Sequence, residues 1–219
     1  MLLSGKKQGK KWKKRGDEST LKFTFEGSAA EFNFATMEEV LLRLVQTRGK
    51  RNAVICLICL ALLAVGIWSF FMGSSKRFAV FGVLALLLFL YLRRSSAVAA
   101  GRAQQTILHL LEAENAQSEE ERERIFTYTF EDSACTMSSN GKVLGTWEWT
   151  SLDRVGEADG VIALWRVDSE AHQSVLPIPK KCLTGGTLDE FRTYLNGWLD
   201  GKQKVTYYKI PTYLKELLN

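Results

Sequence analysis

Apolar residues follow two regimes along the chain: between residues 52 and 92 they run almost unbroken, while on either side they alternate or recur at helical spacing. The first run, NAVICLICLALLAVGIWSFFM over residues 52–72, carries no charge. About 20 apolar residues are what a helix needs to cross a hydrocarbon core of roughly 30 Å. After Gly73, Ser74, Ser75, Lys76 and Arg77 comes FAVFGVLALLLFLYL over 78–92, closed by Arg93 and Arg94. This second run is shorter, and it spans when the flanking cations snorkel to the two interfaces. Trp68, Phe70, Phe71 and Tyr91 fit interfacial aromatic positions. Neither run leaves a polar face for water, so a transmembrane helical hairpin over 52–94 is predicted rather than a soluble one. Ala79, Gly82 and Ala85 form a stripe of small residues that lets the two helices approach.

The flanking segments read as soluble structure. LKFTF over 21–25 alternates like a strand, 31–34 reads as a second short strand, and 37–47 is an amphipathic helix with Val40, Leu41, Leu44 and Val45 on one face. These make an N-terminal segment, 20–51, feeding into the first span. Beyond the second span, 95–111 continues as helix and 112–124 is rich in Glu and Arg, giving a charged juxtamembrane helix over 95–124. From residue 125 the period becomes two. Strands are predicted over 125–131, 134–138, 143–150, 161–167 and 173–178, with turns at Asn140-Gly141, Asp159-Gly160 and Asp168-Ser169. Residues 187–199 form an amphipathic helix whose stripe is Leu188, Phe191, Tyr194, Leu195 and Trp198. Strands followed by one closing helix give an antiparallel α+β domain over 125–201. The extension 202–219, with Tyr207, Tyr208, Ile210, Tyr213 and Leu214, either packs back on that domain or offers a partner surface.

Charge orients this layout. Arg43, Arg48, Lys50 and Arg51 precede the first span and Arg93, Arg94 and Arg102 follow the second, against Lys76 and Arg77 in the turn. Positive-inside bias therefore places both termini in the cytoplasm of a two-span cell-membrane protein. The tail 1–19 is basic: Lys10, Lys11, Lys13, Lys14 and Arg15 surround Trp12. It either rests on an anionic inner leaflet or stays solvated, and these six residues are candidate contacts for a membrane surface or a partner. Lys180, Lys181 and Arg192 are further candidates, as a small basic patch close to the membrane, with a plain solvated face as the alternative reading. No nucleic-acid-binding motif accompanies the charge.

Candidate chemistry adds little. Cys56-x-x-Cys59 lies in the apolar run, where packing explains it better than a thiolate site, and Cys135 and Cys182 are far apart in the soluble part. Trp147 and Trp149 face one side of a strand and read as core anchors. His109 and His172 have no ligand-spaced companions, and no phosphate-cradling glycine loop, Gly-x-Ser-x-Gly or His-Glu-x-x-His occurs. No catalytic, cofactor-binding or metal-ligating residue is therefore assigned.

The order of several short signals resembles the YcxB-like family of bacterial membrane proteins. They are Tyr128-Thr129-Phe130-Glu131-Asp132, the Asn140-Gly141 turn, Trp149-Thr150-Ser151-Leu152, Leu176-Pro177-Ile178-Pro179-Lys180-Lys181 and Glu190-Phe191. The resemblance covers nearly the whole chain except both ends. It implies two closely spaced spans followed by a pleckstrin-homology-like antiparallel barrel or bent sheet capped by one α-helix, and no established enzymatic activity. The hairpin corresponding to a pleckstrin-homology lipid site offers only Lys142, so inositol-lipid recognition finds no support. The expectation is a membrane-anchored, non-enzymatic interaction protein with the bilayer, a protein and anionic lipid as partners and no nucleic acid. The alternative is an immunity or transporter-accessory protein acting through its spans.

Overall fold

The computed structural model describes residues 23–131, 134–149, 152–167, 173–199 and 204–218. The chain opens with strand β1 (Phe23–Ser28), which runs directly into helix α1 (Ala29–Phe71). The junction is a capping box: Ser28 Oγ accepts from the Glu31 N–H at 3.3 Å, and Glu31 accepts from the Ser28 N–H at 2.9 Å. This box satisfies the first orphan donors of the helix. It overturns the short strand expected over 31–34, since those residues form the first turns of α1. The 43-residue helix then continues through its polar half into the apolar run without a break.

Met72, Gly73 and Ser74 turn the chain into α2 (Ser75–Asn115), with Gly73 at φ +79° supplying the left-handed residue. α1 and α2 are both long and apolar enough to cross a membrane, and only 11% of the most apolar window of each is buried. Their close approach is not where the small-residue stripe placed it. A Cβ on Gly66 of α1 would lie 3.3 Å from Phe81 Cβ, whereas one on Gly82 would meet nothing within 4 Å. Of the stripe only Ala85 is buried, and its carbonyl faces Cys59 Sγ at 3.8 Å. The aromatic side chains of α2 thus fill the notch at Gly66, and the Ala79–Gly82 side is left outward.

Below the hairpin, α3 (Glu119–Glu123) starts on a second capping box, Ser118 with Glu121, which divides the single charged helix expected there. Strands β2 (Ile125–Phe130), β3 (Ala134–Ser139) and β4 (Lys142–Glu148) follow as a meander, its second turn built on Asn140 at φ 51° and Gly141 at φ 76°. Next come β5 (Leu152–Glu157), β6 (Val161–Val167), β7 (Gln173–Pro179), β8 (Leu183–Gly185), α4 (Leu188–Leu199), β9 (Thr206–Tyr207) and α5 (Thr212–Lys215). They pair as two sheets, β4-β3-β2-β1-β8 and β7-β6-β5-β9, and among the described residues no ladder joins them. The fold is therefore α+β with two packed sheets, not a closed barrel.

β1 is the element that ties the chain together. It lies between β2 and β8, with Phe23 opposite Phe130 and Phe25 opposite Tyr128. The strand before the apolar hairpin and the strands after it thus form one sheet, and the hairpin is an insertion between neighbouring strands. The main core sits between the sheets and α4, with Phe23, Phe25, Phe130, Trp149 and Phe191 at its centre. Phe130 and Trp198 stack on Trp149 at 5.6 and 5.9 Å.

A second core explains the run Val161-Ile162-Ala163-Leu164-Trp165 in β6, every side chain of which is at most 1% exposed. A strand apolar on both faces needs cover on both. Ile162 and Leu164 face the main core, while Val161, Ala163 and Trp165 face the polar half of α1 through Met37, Leu41 and Leu42. Ala103 and Ile107 of α2 and Ile210 and Leu214 of the C-terminal segment complete this layer. The C-terminal extension therefore packs back on the domain.

Candidate functional site

The cations singled out from the sequence meet around the first turns of α1. An open cleft of about 510 Å³ is lined there by Phe34, Ala35 and Glu38 of α1, Asp159 and Gly160 of the β5–β6 turn, Pro179 at the end of β7, Lys180 and Lys181 just after it, and Leu188 at the start of α4. The tight β5–β6 turn is closed by Ala158 N–H donating to the Val161 carbonyl at 2.9 Å. The Lys180 N–H then donates to the Gly160 carbonyl at 2.8 Å, which fixes the end of β7 against this turn.

Each of Lys180, Lys181 and Arg192 has a carboxylate partner. Arg192 holds Glu157 with two nitrogens, Nε to Oε2 at 2.8 Å and Nη2 to Oε1 at 2.5 Å, and a third reaches Asp189. Lys180 Nζ is 2.5 Å from Glu157 Oε1, donates to the Ala158 carbonyl and lies over the Tyr207 ring at 5.7 Å. Lys181 Nζ is 2.9 Å from Glu31 Oε1, so the capping carboxylate of α1 also anchors the turn after β7. Asp159 accepts from Tyr207 Oη and Lys215 Nζ, which pins the C-terminal segment to the same corner. The four cations Lys180, Lys181, Arg192 and Lys215 thus face the carboxylates of Glu31, Glu157, Asp159 and Asp189, with Glu38 beside them. Paired in this way they present no excess positive charge. They also sit about 20–30 Å along α1 from Asn52, where the apolar run begins, at the level of Glu31 and Glu38. The tail residues Lys10, Lys11, Trp12, Lys13, Lys14 and Arg15 lie outside the described residues.

The environment sorts the carboxylates into two groups. Lys181 and the Ser28 N–H hold Glu31 below its ordinary value, and Lys215 and Tyr207 do the same for Asp159. Burial alone would raise Glu157, but the bonds from Arg192 and Lys180 outweigh it and the net shift is downward. Glu38 and Glu39 go the other way, pushed up by burial. The Gly160 N–H, 2.9 Å from Glu38, and Arg43 beside Glu39 offset only part of this. A carboxyl whose folded pKa is raised contributes stability below its unfolded value, and that contribution is lost as pH rises through the folded pKa. Glu38→Gln keeps an acceptor for Gly160 and removes the charge. It is expected to raise the melting temperature at pH 7.5 and leave it unchanged at pH 4, as read by thermal denaturation at the two pH values.

None of these groups is poised as a nucleophile. Burial pushes the Cys135 thiol upward, Cys182 is pushed up to about 11 by burial and then by Glu31, and buried Tyr128 is pushed up to about 12. His109 is exposed beside Glu112, and His172 lies outside the described residues. Among the described residues no three His, Cys, Asp or Glu side chains gather as a metal-ligand set. Trp149 is a core side chain that donates from Nε1 to the Glu131 carbonyl at 2.8 Å, and half-buried Trp147 packs under Arg166. The sequence showed the cations of this corner but not their partners: the unused signal was Ser28-x-x-Glu31, a capping-box pattern that marks a helix start where a short strand was expected. Comparison with protein-family models, curated proteins and solved structures gives no match.

Proposed function

We propose that this chain is a membrane-anchored, non-enzymatic interaction protein that holds a two-sheet, pleckstrin-homology-like domain at the cytoplasmic face of a cell membrane. The observation that carries this reading is the insertion of the apolar hairpin between β1 and β2. α1 is at once a layer of the domain core and the lead into the first apolar run, so the domain has no flexible linker to the bilayer. Such a connection fixes the height and orientation of a binding surface, and with them the effective concentration of a partner in the same membrane. The low burial of both apolar windows supports spanning, because a core helix of a soluble protein is covered. The uneven Lys and Arg distribution supports cytoplasmic termini.

A second reading, an immunity or accessory protein working through its spans, is favoured by one feature. The Ala79–Gly82 side of α2 is not used by the hairpin itself and remains open to another helix. Single cysteines separate the two readings in a cysteine-free chain. Position 142 is the reporter of choice, since Lys142 is exposed whereas neighbouring Ser139 is only 9% exposed. With Lys142→Cys, an impermeant maleimide is expected to label only permeabilised cells, and a photo-crosslinker there is expected to capture a protein. Labelling of intact cells would reverse the orientation. Capture from Val83→Cys, on the outer side of α2, with none from position 142, would favour the second reading.

A further inference from the structure

We propose that Arg48 and Arg51, with Asn52, form a site for the phosphate headgroup of an anionic phospholipid between α1 and α2 at the foot of the apolar hairpin, an inference that rests on the membrane-spanning reading. The three residues are spaced i, i+3, i+4 and therefore share one side of α1. That side faces α2, because Arg48 Nη2 donates to the carbonyl of Ser96. Arg48 Nε, Arg51 Nε, Arg51 Nη2 and Asn52 Oδ1 are buried and have no hydrogen-bond partner. A buried guanidinium with unsatisfied donors is costly, and its planar fork matches two oxygens of a phosphate.

Among the described residues the chain offers no counterion. Between Glu39 and Glu112 neither α1 nor α2 contains an Asp or Glu, and no carboxylate pairs with Arg48, Arg51, Arg93, Arg94 or Arg102 among the described residues. Most ion pairs among the described residues gather instead around the sheet domain. The position of the donors selects the anion. Arg48 and Arg51 immediately precede the apolar run, and Arg93 and Arg94 close the second run on the same end of the hairpin. That level is where a spanning hairpin meets lipid phosphates. Asn52 Oδ1, the one unpartnered acceptor of the set, suits a headgroup hydroxyl, which makes phosphatidylglycerol the appropriate probe. The opposite end carries Lys76 and Arg77, both exposed, so it provides a control of equal charge type.

The test uses the full chain in nanodiscs of phosphatidylcholine with a minority of phosphatidylglycerol, with retained lipids counted by native mass spectrometry after release. Alkaline carbonate extraction comes first: release of the chain from membranes would overturn the spanning reading itself, and retention leaves the lipid site to be decided separately. Phosphatidylglycerol is expected to be retained about tenfold over phosphatidylcholine, the scale of one charge-assisted hydrogen-bonded contact. Arg51→Gln, which leaves the Arg48–Ser96 bridge intact, is expected to abolish that preference. Arg51→Lys is expected to restore part of it, and paired Lys76→Gln and Arg77→Gln to leave it unchanged. Equal retention of the two lipids would overturn the proposal. So would an equal loss from the Lys76 and Arg77 pair, displacement by millimolar inorganic phosphate, or a protein carboxylate cross-linked at position 51 in place of lipid.

Discussion

Phe25→Ala is expected to lower the stability of the sheet domain by about 3–5 kcal/mol, the cost of emptying a large buried aromatic site, even though the residue precedes the entire apolar hairpin. Phe25 is 0% exposed, and its ring lies 4.9 Å from Phe191 of α4 and 5.5 Å from Phe130 of β2. Its strand is interior to the five-stranded sheet, so the loss is felt by neighbours on both sides. Chemical denaturation in detergent, followed by tryptophan emission from the Trp149 region, measures it. A change under about 1 kcal/mol would mean that β1 is not part of the domain core. The same geometry makes a fragment beginning after α2 a poor domain, because it lacks the strand that separates β2 from β8. Joining the polar halves of α1 and α2 through a short turn in place of residues 52–92 keeps β1 and is expected to fold.

What the sequence conveyed and what it concealed divide along locality. The two long apolar helices were legible because an uncharged run of about 20 apolar residues is itself the signal. The Asn140-Gly141 turn was legible because its positive φ values demand those residue types. The alternation of 21–25 was legible as a strand, yet its partners lie beyond the hairpin and at β8, and no local pattern names a distant partner. β5 was missed for a related reason. Asp153, Arg154 and Glu157 interrupt its alternation, and Glu157 is buried only because Arg192 and Lys180, remote in sequence, satisfy it. The short strand expected over 31–34 failed because Ser28 and Glu31 form a capping box, a local signal that overrides a two-residue alternation. Lys180, Lys181 and Arg192 were visible as cations, and a count of cations in one segment resembles a binding patch until Glu31 of α1 and Glu157 of β5 are folded against it. The double-sided apolar run of β6 was the strongest unused clue. It required a layer opposite the main core, and the polar half of α1 is that layer.

Glu157→Gln is expected to cost about 2–3 kcal/mol at neutral pH, because it removes the common counterion of two cations. Breaking a buried pair by deleting one partner typically costs roughly 3–5 kcal/mol. The lower figure applies because the Arg192 side chain is 34% exposed and keeps Asp189, and that of Lys180, 12% exposed, keeps the Ala158 carbonyl, the Tyr207 ring and the nearby charge of Asp159. The pH dependence separates a lost charge from a lost shape. The folded pKa of Glu157 lies below its ordinary value of 4.5, so its contribution is complete above that value and is lost as pH falls through the folded pKa. Wild type and Glu157→Gln should therefore differ fully at pH 7, almost fully at pH 5.5, and progressively less below about pH 4.5. Glu38 shifts stability in the opposite sense over this range, but it is present in both proteins and cancels in the difference. A gap that stays constant down to pH 3 would show that Glu157 acts through packing alone. A gap that closes would identify the Arg192–Glu157–Lys180 cluster as the electrostatic clasp joining β5, the end of β7 and α4, at the corner where α1 enters the domain.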